Sequence, residues 1–122
     1  FLFGLTTPEV QALRRDGYAP ARYAQADPRL GAALDMIASG AFSGGDRELF
    51  KPLVDNLLHQ DDYMVLADFA SYMEAQDRAV RLYGDPDAWT RMSILNVARL
   101  GMFSSDRSIR EYCGKIWKIP VA

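Results

Sequence analysis

The chain has 122 residues, 14 Lys and Arg against 16 Asp and Glu, and a formal net charge of -2. That length suits one domain with a modest core and is too short for two, and the missing basic excess argues against a nucleic-acid partner. No apolar run approaches the roughly 20 residues that span a bilayer, Phe1-Leu2-Phe3 is too short for a signal peptide, and the single cysteine, Cys113, can form no internal disulfide, which fits a reducing compartment.

The chain opens without an initiator Met. Phe1-Leu2-Phe3-Gly4-Leu5 reads as the end of a β-strand whose sheet partners the sequence does not contain, so a fragment is expected. The first helix starts at Thr7-Pro8-Glu9. Thr7 is the expected N-cap, Pro8 takes the first position, and Glu9 suits the positive end of the helix dipole. Gly17 stops it. Pro20 opens a short turn of helix through Tyr23. Asp27-Pro28 repeats the cap-then-proline pattern and starts a longer helix. Its buried face is Leu30, Ala33, Leu34 and Ile37, and Gly40 ends it.

Phe42-Ser43-Gly44-Gly45-Asp46 reads as a flexible turn with Asp46 as a cap. Paired glycines at a helix start can bind phosphate, but the lysine and the full spacing of a phosphate loop are absent. Pro52 inside the apolar run from Arg47 to Leu58 would cost about 3 kcal/mol in a helix interior. A short turn over 47–50 is therefore expected, then a helix entered at Lys51 or Pro52. His59, the only histidine, stands at the negative end of that helix as a cap or surface residue. Tyr63-Met64-Val65-Leu66 reads as an apolar connector, after which Asp68 caps the longest helix, through about Tyr83. Phe69, Tyr72, Met73, Gln76, Val80 and Tyr83 share one of its faces. Glu74 with Arg78, and Asp77 with Arg81, are ion pairs of about 0.2–0.5 kcal/mol each.

Asp85-Pro86 starts the next helix, which carries Trp89, Met92, Ile94, Val97 and Ala98 on several faces and so wants cover on more than one side. Asn96 there needs a backbone or water partner if buried. Gly101 closes that helix and Ser104 or Ser105 caps the last one. From about Asp106 to Trp117, Ile109, Tyr112, Ile116 and Trp117 form one stripe. Gly114 costs that helix roughly 1 kcal/mol against alanine.

Nothing in these elements is a catalytic constellation: the site residues expected are none for catalysis, none for a cofactor and none for a metal. Two of the 16 acids can in principle cut a glycosidic bond, but the adjacent Asp61 and Asp62 read as a solvated turn. His59 has no nucleophile motif and no second metal ligand nearby. Cys113 lacks a histidine partner and reads as a small buried or half-buried residue. Tyr63, Tyr72, Tyr83 and Trp89 can make a sugar-stacking platform, but at helical spacing core packing is the better reading.

The residues nevertheless carry a resemblance. Trp89-Thr90-Arg91-Met92-Ser93-Ile94, Asn96, Gly101-Met102-Phe103-Ser104-Ser105-Asp106-Arg107, Ile109, Glu111-Tyr112 and Ile116-Trp117 are similar to the C-terminal end of the glycogen, starch and maltodextrin phosphorylases. Upstream, Phe3-Gly4, Gly17-Tyr18, Gly40-Ala41-Phe42-Ser43, Leu49-Phe50, Pro52-Leu53-Val54, Tyr63-Met64, Ala67-Asp68-Phe69 and Tyr72 fall in that family's order and spacing. Only Gly114 departs, where the family commonly has a bulkier residue. The resemblance covers essentially the whole chain and implies a mainly α segment, 1–122, with a residual strand at its N-terminus. It would be the helical C-terminal end of the cofactor-binding domain in a two-lobed α/β, Rossmann-like (GT-B type) glycosyltransferase. It further implies that 104–118 is a final helix running toward the N-terminal lobe.

The family's activity is phosphorolysis of a terminal α-1,4 glucosyl bond to glucose 1-phosphate, by a pyridoxal phosphate held on a lysine whose phosphate group assists. That lysine would lie upstream, and neither Lys51, Lys115 nor Lys118 matches its setting. The implied parent is a cytoplasmic, allosteric homodimer acting on glucan and phosphate. The fragment's partner would be the rest of that chain, with no nucleic acid and no membrane, and on its own it is expected to be inactive. The competing readings are a freestanding helical interaction or regulatory domain and a small sugar-binding module.

Overall fold

The computed structural model of the chain describes residues 1–120. Val121 and Ala122, the end of the expected 1–122 segment, lie outside the described residues. The elements are α1 (Thr7–Asp16), α2 (Pro20–Ala26), α3 (Pro28–Ala38), α4 (Lys51–His59), α5 (Val65–Tyr83), α6 (Pro86–Arg99) and α7 (Ser105–Glu111). A 3-10 turn over Leu100–Phe103 follows α6, and a π-helical turn over Tyr112–Trp117 follows α7. The chain is mainly helical. It divides into two compact units, Phe1–Ala79 and Val80–Ala122.

Residues 1–5 correct one expectation. They form no strand, and no strand occurs among the described residues. A strand exists only against a partner ladder. Here the backbone is occupied by α5 instead. The Gly4 N–H donates to Ser71 Oγ at 2.9 Å and the Leu5 N–H to Asp68 Oδ1 at 2.8 Å. Arg78 Nη2 donates to the Leu2 carbonyl at 3.2 Å, and the Phe3 ring meets Tyr72 edge-on at 5.2 Å. Gly4 has φ +90, and a Cβ there would stand 2.9 Å from Asp68 Oδ2. Only glycine supplies both that dihedral and that clearance.

The helix starts follow local chemistry. Thr6, not Thr7, precedes α1, so Pro8 falls at the second helical position. Glu9 accepts from the Thr6 N–H at 2.7 Å and from its hydroxyl at 2.6 Å. Those bonds, hydroxyl first, lower the Glu9 pKa from its ordinary 4.5. Asp27 accepts from the Arg29 N–H at 2.9 Å to start α3, as expected. Its side-chain bonds to the Arg29 guanidinium, at 3.1 and 2.7 Å, draw its pKa down to about 2. α4 begins at Lys51 with Pro52 in its first turn, where a missing N–H costs nothing.

The first unit has the interior. Leu30 and Leu34 of α3 meet Leu66 of α5, with Tyr23 and Ala24 of α2, Leu57 and Leu58 of α4, and Phe69 of α5 packed round them. The expected α3 face is half right: Ile37 is half-buried and Ala33 is exposed. On α5 the buried residues are Leu66 and Ala75; of the six residues read as sharing one face, Phe69 and Met73 are half-buried and Tyr72, Gln76, Val80 and Tyr83 are exposed. Arg29 reaches over the Phe69 ring, 5.9 Å from its centroid, tying α3 to α5 by a cation–π contact. Neither Glu74–Arg78 nor Asp77–Arg81 closes as an ion pair among the described residues.

Leu66→Ala should destabilise the first unit by about 2–5 kcal/mol, the transfer loss plus the cavity. Met36→Ala, at a site more than half exposed, should cost under about 1 kcal/mol. Urea unfolding of the two variants measures both, and equal losses would place the interior elsewhere.

Candidate functional site

The most highly determined polar arrangement lies in the turn between α4 and α5. Asp61 is 2% exposed and is the buried charged residue of the described chain. Its Oδ1 accepts from the Val65 N–H at 2.9 Å. Its Oδ2 accepts from the Leu66 N–H at 2.9 Å and from the Tyr18 hydroxyl at 2.5 Å. Asp61 therefore caps α5. The expected cap, Asp68, sits inside the first turns of α5 and holds Leu5 instead. The solvated-turn expectation fails for Asp61 and holds for Asp62, which is exposed. A buried carboxylate needs several donors, and one phenol with two orphan helix N–H groups supplies them.

The backbone of this turn is unusual. Asp61 has φ 42 and Met64 has φ 56, both left-handed and neither a glycine. Such geometry costs about 1–3 kcal/mol per residue and persists only where the surroundings fix it. The fixing bonds are visible. The Asn56 carbonyl accepts from the Gln60 and Asp61 N–H groups at 2.8 and 3.0 Å, and the Asp61 carbonyl accepts from the Met64 N–H at 2.8 Å. Arg14 Nη2 donates to the Asp62 carbonyl at 3.0 Å. Between the two left-handed residues, Tyr63 points outward and is 89% exposed. Core packing, expected for it at helical spacing, does not apply, because the residue lies ahead of α5 and not on it.

The Tyr18 phenol is half-buried. Burial first, then the hydrogen bond to Asp61 and the charge of that carboxylate, push its pKa well above its ordinary 10.0. An anionic phenolate beside a buried carboxylate would be doubly penalised.

Other residues singled out by their chemistry are dispersed. His59 is exposed at the last position of α4. Among the described residues no three His, Cys, Asp or Glu side chains are grouped to hold a metal ion. In the loop after α3, the Gly45 and Ser43 N–H groups bond back to the Gly40 carbonyl at 3.0 and 3.1 Å, so they do not face outward to an anion. A Cβ on Gly40 would meet the Gly45 backbone at 2.9 Å, which is why the loop closes there. Asp46 accepts from the Glu48 N–H at 2.9 Å, a bond within the turn; it caps no helix, because α4 starts only at Lys51, behind Phe50. Lys51, Lys115 and Lys118 are all exposed, and the first two are paired with Asp55 and Glu111.

The second unit has almost no interior. Asp85 accepts from the Ala88 N–H at 3.1 Å and starts α6, and Tyr83 meets Trp89 edge-on at 5.1 Å. No residue of α6 is buried, Asn96 included. Gly101 does not adopt a left-handed dihedral, so it does not close the helix; the chain tightens into the 3-10 turn instead. Ser104 caps α7 by accepting from the Arg107 N–H at 3.3 Å. The uniform last helix is corrected too: α7 widens into the π turn over Tyr112–Trp117, whose bonds reach five residues on. That brings the Tyr112 and Trp117 rings to 5.9 Å of each other and breaks the expected stripe. Glu111, bonded by Lys115 at 3.0 Å and by Arg107, has a lowered pKa, the Lys115 bond first among the causes. Cys113 is buried. A Cβ on Gly114 would meet nothing within 4 Å, so a bulkier side chain fits there. Ile94, Val97, Phe103, Ile109, Ile116 and Trp117 are all more than half exposed.

Comparison with known proteins matches residues 1–119 to the family described as carbohydrate phosphorylase. The glycogen phosphorylase of Synechocystis sp. is 54% identical over 119 residues, 98% of this chain and 14% of that protein. That of Chlamydia pneumoniae is 42% identical over 121 residues, 98% of this chain and 15% of that protein. The human brain form is 43% identical over 119 residues, again 98% of this chain and 14% of that protein. The chain thus spans only about one seventh of the length of these relatives.

Tyr18→Phe should remove the phenol donor and cost about 1.5–3 kcal/mol, the range for a hydrogen bond to a charged group. Asp61→Ala should cost more, since it also uncaps α5. Because the folded phenol pKa is raised, its contribution is full below the unfolded value near 10 and is lost as pH rises toward the folded one. Alkaline unfolding should therefore be steeper for the wild type than for Tyr18→Phe. Parallel curves would show that the phenol does not titrate differently on folding.

Proposed function

As the chain belongs to the carbohydrate phosphorylase family, we propose that it is the C-terminal helical segment of an α-glucan phosphorylase. The parent would release glucose 1-phosphate from glycogen or maltodextrin with inorganic phosphate. The observation that carries this reading is a match over residues 1–119 that occupies 98% of this chain and only 14% of a glycogen phosphorylase. The parent is taken to be a two-lobed, cytoplasmic homodimer whose bound pyridoxal phosphate supplies a phosphate group to assist the substrate phosphate. The residues present do not fit that cofactor: a Schiff-base lysine is activated by burial or by a neighbouring cation, and all three lysines here are exposed. No catalytic step is therefore assigned to this chain.

Its role is structural. The apolar side chains of α6, α7 and the π turn have no cover within their own unit, which suits docking on the remainder of a longer protein. The 104–118 segment would run toward the N-terminal lobe. In a two-lobed enzyme, lobe closure expels water. That matters here because water competes with phosphate for the same glucosyl carbon, and a segment that steadies the closed lobes favours phosphorolysis over hydrolysis.

The isolated chain, given maltodextrin and phosphate, should release no glucose 1-phosphate and should self-associate in sedimentation, whereas the longer protein should be active. Turnover by the isolated chain would overturn the structural role. In the longer protein, Trp117→Ala should lower the thermal midpoint and leave pyridoxal absorbance unchanged. A fall in pyridoxal content with an unchanged midpoint would contradict it.

A further inference from the structure

The charges of the chain are divided unevenly. Residues 80–122 hold seven Arg and Lys against four Asp and Glu, whereas residues 1–79 hold seven against twelve. The four acids of the second unit all have local uses. Asp85 starts α6. Asp87 and Asp106 stand in the first turns of α6 and α7, where the helix dipole favours an anion. Glu111 is bonded by Arg107 and Lys115. Of the other cations, Arg81, Arg99 and Arg110 lie in the last turns of α5, α6 and α7, and Lys118 directly follows the π turn, positions the same dipole explains. Arg91 has no such account. It is the sixth residue of α6, clear of both ends, and it is exposed. Among the described residues it makes no ion pair, and Asp87, four residues back, does not close on it.

Arg91 stands among apolar side chains. It lines one open depression of about 630 Å³ together with Ile94, 62% exposed, and Leu95. That mixture selects the class of partner. A bilayer takes a helix whose apolar side is separate from its cations, and insertion of Ile94 would drag the Arg91 guanidinium below the headgroups. A phosphate backbone selects a continuous basic track, which the exposed Ile94, Val97 and Phe103 interrupt here. Arginine set among exposed aliphatic and aromatic side chains is the make-up of a protein interface. A purely apolar cover would leave the guanidinium buried and unpaired, which is strongly unfavourable. We propose that the protein surface covering α6 is apolar but carries a carboxylate placed to receive Arg91. A guanidinium meets a carboxylate through two parallel N–H bonds, so this one pair would fix the register in which the second unit docks. The proposal rests on the reading of the chain as a segment of a longer protein, and the carboxylate belongs to the part of that protein outside this chain.

Hydrogen exchange of the α6 amides in the longer protein tests this, with the isolated chain as reference. Docking should slow those amides by about tenfold or more in the longer protein relative to the isolated chain. Arg91→Glu, which sets two carboxylates face to face, should remove that protection. Arg91→Gln, which keeps a donor and drops the charge, should lose about tenfold of it. Arg91→Lys should keep most of it. In the isolated chain, where Arg91 is exposed, none of the three should move the α6 amides by more than about twofold. Unchanged protection in the longer protein bearing Arg91→Glu would overturn the proposal. So would full protection in Arg91→Gln, since a neutral carbonyl would then suffice, and so would binding of the isolated chain to phosphatidylserine vesicles. Glucose 1-phosphate release by the longer protein is assayed alongside. An active longer protein whose protection is indifferent to Arg91 sinks this inference alone; protection lost in Arg91→Glu with an inactive wild type sinks the phosphorylase reading alone.

Discussion

The buried carboxylate of Asp61 is the constraint on which the first unit turns. Placing a charge at 2% exposure is unfavourable unless donors surround it. The three that do come from two places: the phenol of Tyr18, far back in the chain, and the opening N–H groups of α5. One side chain therefore fixes where the longest helix begins, how the α4–α5 turn bends and where Tyr18, just after α1, lies. Leu66, one of the donors, is also a member of the apolar cluster with Leu30 and Leu34. Polar and apolar order meet at that residue, so a change at Asp61 is felt in the core through its hydrogen bond to the Leu66 N–H.

What the amino acids reveal on their own is mostly what neighbours in sequence decide. Asp27-Pro28, Asp85-Pro86 and the halt before Pro52 are legible because cap and proline act within a few residues. The start of α5 was not, because its cap lies four residues before the first helical position and depends on a tyrosine 43 residues away. Asp68, the attractive local candidate, is engaged by Leu5, 63 residues distant. The N-terminal segment misleads for the same reason: its composition suits a strand, and only its donors' partners on α5 decide otherwise. Of the candidate site, the aromatic character of Tyr63 was legible but its exposure was not, since two left-handed residues cannot be read from Asp and Met. The family resemblance survived these local misplacements because it rests on residue identities spread over the whole chain.

The two units contrast in how they satisfy their apolar surface. The first gathers leucines from α3, α4 and α5 around one centre. The second shows Ile94, Val97, Phe103 and Trp117 to solvent, with Cys113 as its buried residue among those described. Each helix of the second unit still has its start defined, by Asp85 and by Ser104. Local signals are thus complete where packing is not.

The bonds from Gly4 and Leu5 to α5 bear on the order of assembly. They close loops of 67 and 63 residues, and contacts so distant in sequence form late, after the local helices. On a ribosome, Gly4 and Leu5 must remain undocked until α5 has emerged and coiled, since only then do Ser71 and Asp68 stand side by side to receive them. The beginning of this stretch of chain is among the last parts of it to settle.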